Sequence, residues 1–94
     1  MQKSLHSERN NLFLEMLRGR RTDAAVTLAE LAEALGMRQT DISKVERGVR
    51  RLDVVELHAW LAQLNSSFIE FAADLDARFQ ALAARRHVSR RRPD

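Results

Sequence analysis

The sequence predicts an all-α domain of five helices, and three observations carry that prediction. The 94 residues include only three Gly and one Pro, and no period-2 run rich in β-branched residues suggests a strand. Apolar residues instead recur three and four positions apart along most of the chain. Three S/T/D-x-x-E patterns also mark helix starts: Thr27 to Glu30, Asp53 to Glu56 and Ser67 to Glu70. In each, the first side chain and the glutamate can satisfy one another's orphan backbone donors.

The elements follow in order. Helix 1 is expected from Ser4 or Ser7 to about Arg21, with Leu12, Phe13, Met16 and Leu17 as its apolar stripe. A loop, TDAAV, leads to Thr27, which caps helix 2. Leu28, Leu31 and Leu35 recur at helical spacing there, with Ala32 as the small residue between them. Gly36 stops the run, because a tight turn needs a residue that tolerates positive φ. Helix 3 runs from Arg38 or Gln39 to Arg47, with Ile42 and Val45 inward and Gly48 just past its end. Helix 4 opens at Asp53 and carries Leu57, Trp60, Leu61 and Leu64 at i, i+3, i+4 and i+7. Helix 5 spans residues 67–84. Residues 1–84 thus form one helical domain, and 85–94 read as a basic, disordered tail.

Charge is distributed unevenly. The formal net charge is +3, but residues 85–94 hold five Arg and one Asp, leaving 11 basic and 12 acidic residues elsewhere. Within that nearly neutral body, residues 38–51 carry five basic residues against Asp41 and Glu46. Focused basic charge is what a phosphate-binding surface requires. Between its buried positions helix 3 is polar, with Arg38, Gln39, Thr40, Asp41, Ser43, Lys44 and Arg47 suited to base edges and phosphates.

Other chemistry finds little footing. The chain has no Cys, so disulfides and thiolate metal sites are excluded. His6, His58 and His87 are far apart without carboxylates at ligand spacing, and no glycine-rich phosphate loop is present. No catalytic residue, metal or cofactor is expected. No apolar run approaches membrane-spanning length, and no secretory signal pattern opens the chain. A cytoplasmic, non-enzymatic protein is expected.

The segment LAELAEALGMRQTDISKVERGVRRLDVVEL resembles the Cro/cI-type (XRE-like) helix-turn-helix regulators of phage and bacteria, over roughly residues 13–71. The resemblance implies a lambda-repressor-like domain that binds double-stranded DNA as a transcriptional regulator, most simply a repressor. It implies an Arg21–Glu46 pair joining helix 1 to helix 3. It points to Arg38, Gln39, Thr40, Ser43 and Lys44 as base readers, where Gln39 can pair with adenine and Arg38 or Lys44 with guanine. Arg47, Arg50 and Arg51, with Thr27 at the helix 2 N-terminus, fall where phosphates are held. Three positions depart from the family's pattern. Leu28 replaces a common Gln, Arg38 stands where a capping residue is usual, and Asp41 lies beside the reading face, where a local pair with Lys44 is favoured.

Phe68, Ala72, Leu75, Phe79 and Leu82 are spaced four, three, four, three, a short heptad seam. Two readings stay open. The seam, through Leu75, Phe79 and Leu82, joins two copies into a homodimer that reads an inverted repeat. Alternatively, helix 5 folds back along helix 1 within one chain. A different functional class is an interaction module, such as an antitoxin whose last helix binds a toxin protein. A third is sequence-tolerant nucleic-acid binding driven by the Arg tail.

Overall fold

A computed structural model of the protein describes the backbone of residues 5–90 and the side chains of residues 7–85. Five helices follow one another: α1 (Leu5–Asp23), α2 (Leu28–Leu35), α3 (Gln39–Glu46), α4 (Val54–Gln63) and α5 (Phe68–Arg90). Two of the expected capping boxes are complete. Thr27 Oγ1 accepts from Glu30 N and Glu30 returns the bond to Thr27 N. Asp53 and Glu56 do the same for α4. The third box is half formed, with Ser67 Oγ accepting from Glu70 N at 3.2 Å.

The first four helices share one way of ending. A left-handed residue follows the last turn, and the next amide donates back five positions: Val26 N to Arg21 O, Met37 N to Ala32 O, Val49 N to Lys44 O, and Ser66 N to Leu61 O. This satisfies carbonyls the helix end would otherwise orphan. Gly36 and Gly48 hold the left-handed position after α2 and α3, but Ala25 (φ 57°) and Asn65 (φ 54°) hold it after α1 and α4. Asn tolerates that region, whereas alanine pays a steric cost there. Ala25→Gly is therefore expected to raise stability, by at most about 1 kcal/mol once glycine's greater unfolded-chain entropy is subtracted. Urea denaturation checks this.

Every helix contributes to one core. Leu17, Leu31, Ile42, Val45, Trp60, Leu61 and Phe71 are fully buried, and Ala32 lies among them where α2 packs on α3. A small side chain at that crossing lets the two helices approach closely.

α5 departs from expectation in its length. It continues as helix to Arg90 rather than stopping near Ala84. Ala83, Ala84, Arg85 and Arg86 are strong helix formers, and basic residues suit a helix C-terminus. The apolar seam ends at Leu82; the helix does not. Residues 91–94, and the side chains of Arg86 and Arg90, lie outside the described residues, as do those of Ser4, His6 and His87.

Within the chain the seam packs as the fold-back reading expects. α5 lies antiparallel along α1: Arg20 meets Asp74 at 3.5 Å, Phe13 packs edge-on against Phe71, and Arg9 sits over Phe79. Leu75 packs against the core and Leu82 is 8% exposed. Leu82 is thus covered within the chain, and Phe79 remains half-buried. Leu14 of α1 packs on the turn after α3, where a Cβ on Gly48 would stand 2.9 Å from Leu14 Cδ1.

Candidate nucleic-acid interface

α3 is held by its inner face and presents its outer one. Ile42 and Val45 are buried, and Glu46 turns inward to Arg21. Arg21 Nε and Nη2 donate to the two Glu46 oxygens at 2.6 and 3.0 Å, a bidentate pair whose side chains are 11% and 8% exposed. A third bond runs from Arg21 Nη1 to Val26 O at 2.9 Å. One guanidinium thereby ties the end of α1 to the loop before α2 and to the last turn of α3. The hydrogen bond to Glu46 raises the Arg21 pKa, opposed in part by burial. Fork-to-carboxylate bonding of this kind fixes orientation as well as energy. The structural role expected of this pair matches its geometry.

The opposite face of α3 carries Gln39, Thr40, Lys44 and Arg47, all exposed, with Ser43 between them at i+4 from Gln39. Ser43 Oγ accepts from Arg47 Nε at 3.3 Å. Arg38 caps α3 by backbone only, with no side-chain capping bond. It reaches instead to Asp41, Nε to Oδ2 at 3.2 Å. The expected local pairing of Asp41 thus occurs, but with Arg38 rather than Lys44. An arginine three residues before the aspartate, on a side chain 80% exposed, reaches it in fork geometry. The bond from Arg38 holds the Asp41 carboxyl below the usual carboxylate range, opposed in part by desolvation. An exposed pair of this kind contributes little to stability, so Arg38 can exchange Asp41 for another acceptor.

The residues expected to hold phosphates divide. Thr27 is exposed at the N-terminus of α2, where its Oγ1 accepts from Glu30 N. Arg47 is exposed at the other end of α3. Arg50, by contrast, donates from Nη2 to Glu56 Oε2 at 2.8 Å, so its charge is already matched. Arg51 is exposed. Sequence reasoning missed the Arg50–Glu56 pair. Its signal is an arginine three positions before the Asp53 box, whose glutamate uses one oxygen on Asp53 N and the other on Arg50.

The Arg50 bond, then the Asp53 amide, pulls the Glu56 carboxyl down. The Thr27 amide and hydroxyl do the same for Glu30. A carboxyl depressed in the folded state stabilises it above its unfolded pKa, and that contribution is lost as pH falls through the folded value. The melting temperature is therefore expected to drop on acidification through the carboxylate range. Glu56→Gln should flatten part of that slope, as thermal denaturation by circular dichroism would show.

Among the described residues no three His, Asp or Glu side chains gather as a metal site, and no described helix is long and apolar enough to cross a membrane. His58 is exposed and packs its ring against Phe68. Trp60 is core, as its position on the α4 stripe predicts.

Comparison with known proteins agrees with this geometry. A family model described as helix-turn-helix matches residues 17–71, more than half of the chain. The crystal structure of the clp gene regulator ClgR from Corynebacterium glutamicum superposes with a TM-score of 0.68 at 27% identity, covering 87% of each chain. Comparison of the sequence with curated proteins gives no match. The matched span runs from the α1 core residue Leu17 to Phe71 of α5 and includes the whole α2–turn–α3 unit, so the chain belongs to the helix-turn-helix family of DNA-binding transcriptional regulators.

Proposed function

We propose that the protein is a sequence-specific regulator, most simply a repressor, that lays α3 in the major groove and binds an inverted repeat as a two-fold dimer in the cytoplasm. The observation that carries this reading is the division of α3 into a clamped face and a free one. Ile42, Val45 and the Arg21–Glu46 pair fix its position, while Gln39, Thr40, Lys44 and Arg47 project outward.

In this reading Gln39 and Lys44 address base edges, with Thr40, Ser43 and Arg38 beside them. Thr27, Arg47 and Arg51 hold phosphates and set the register. Arg50 supports the loop through Glu56 and contributes its charge from there. Repression needs no chemistry beyond occupancy: a bound dimer excludes the transcription machinery from its site. One α3 spans only a few base pairs. Two copies about 34 Å apart would read one helical turn of DNA and multiply their discrimination.

Selection of bound sequences from random DNA by the full chain tests the reading. An inverted repeat is expected, and a failure to enrich any sequence would overturn it. Gln39→Ala and Lys44→Ala should each weaken the selected site by about 1–3 kcal/mol and relax preference at one position. Retained preference in both variants would remove α3 from the reading role.

A further inference from the structure

At the start of α3 one arginine has half of its fork engaged and the other half open. Arg38 Nε and Nη2 donate to the two Asp41 oxygens at 3.2 and 3.5 Å. The outer edge of the guanidinium, Nη1 and the second Nη2 hydrogen, is left free of Asp41. The two side chains are unequally placed, with Asp41 22% exposed and Arg38 80%. Asp41 is the anchor, and Arg38 is the projecting arm. The position also gives the fold no cap. Thr27, Asp53 and Ser67 accept backbone bonds at the starts of α2, α4 and α5, whereas Arg38 makes no side-chain capping bond. Departures from a local rule of this kind concentrate at functional positions.

We propose that Asp41 is a positioning residue that fixes Arg38 to read one guanine of the bound site. The inference rests on the proposed laying of α3 in the major groove, where the N-terminal residues of such a helix meet base edges. Chemistry selects guanine. Its O6 and N7 are adjacent acceptors that match the open edge of the fork, and no other base presents two acceptors side by side in that groove. Charge disfavours the backbone as the target. A phosphate approaching Arg38 also meets the Asp41 carboxylate, which repels it, whereas a base edge is neutral. Asp41 therefore does two things: it holds a long side chain in one orientation, and it keeps that arginine off the phosphates. Exposed in the free protein, the pair is weak. Beneath DNA, with water excluded, the same bonds strengthen. Guanine is taken on the open edge, so Asp41 need not be released.

Selection from random DNA by the full chain, repeated with variants, tests this. The wild type is expected to enrich a site with one guanine for each α3, a preference that Arg38→Ala abolishes. Asp41→Asn, folded as the wild type by circular dichroism, should lower preference for that guanine about tenfold. Preference at the positions read by Gln39 and Lys44 should not change. Asp41→Glu, which keeps a carboxylate within reach of Arg38, should retain most of the guanine preference. Adding Asp41→Asn to Arg38→Ala should change that preference no further, because Asp41 acts through Arg38. On a duplex lacking the site, Asp41→Asn should bind more tightly, with a salt slope steeper by up to about 0.9, as the released arginine finds a phosphate. Full guanine preference in Asp41→Asn would overturn the proposal. So would a loss spread evenly over all positions, which would mean that Asp41 only stabilises α3. A selected site with no Arg38-dependent guanine would overturn it while leaving α3 as the reader. No enriched sequence at all would overturn that reading as well.

Discussion

Arg21→Ala is expected to cost the domain about 3 kcal/mol, because it strands the Glu46 carboxylate at a site with almost no access to water. Three bonds go with the guanidinium: two to Glu46 and one to Val26 O. The single loss is larger than the net worth of the pair, since the remaining charge keeps its desolvation cost and loses its partner. Arg21→Met combined with Glu46→Leu should for that reason recover a good part of the stability, as apolar replacements of buried ion pairs do elsewhere. Urea denaturation of the two single variants and the double variant closes the cycle. If the double variant were as unstable as the sum of the singles, the two residues would be acting independently. DNA affinity should not follow stability in the double variant. Without the pair, only Ile42 and Val45 fix the tilt of α3, so the refolded domain should still bind its site more weakly than the wild type.

Trp60→Ala is expected to cost about 3–5 kcal/mol, the range for deleting a buried aromatic side chain. Trp60 is 1% exposed, at the centre of the α4 contribution to the core. Trp60→Phe should cost far less than the difference in volume suggests. The indole Nε1 is buried and finds no acceptor among the described residues, and a buried donor without a partner carries a penalty of about 1–3 kcal/mol that phenylalanine removes. Both variants need circular dichroism rather than fluorescence, because Trp60 is the single tryptophan of the chain. Equal destabilisation by Ala and Phe would mean that the N–H contributes to the fold.

Much of this was legible in the sequence because its signals are local. The Thr27–Glu30 and Asp53–Glu56 boxes fix two helix starts within a span of four residues, and Gly36 and Gly48 fix two ends. The inward residues Ile42 and Val45 and the outward Gln39 and Lys44 follow from helical period alone. What depends on tertiary competition was less legible. Arg50 follows a recognisable basic run, yet a single nearby glutamate decides whether its charge is free. Asp41 has a base on either side at i−3 and i+3, and only the cap geometry of Arg38 decides between them. The seam on α5 predicts that something covers it but not what, since a heptad stripe fits α1 of its own chain as well as another copy. Ala25 gave no sign of its left-handed backbone, because that conformation is imposed by the Val26 bond to Arg21 O rather than preferred by alanine.

The shortness of α3 has a further consequence. Eight residues make about two turns, well below the length at which a helix persists by itself in water. The reading surface therefore has no order of its own: it borrows all of it from Ile42, Val45 and Arg21, and vanishes in one step when the domain unfolds. DNA can then bind only the folded chain, and by mass action its presence must draw the population toward that state. The cell's supply of vacant sites would act on this protein as a folding partner, so that copies without DNA are the first to be lost to heat or proteolysis.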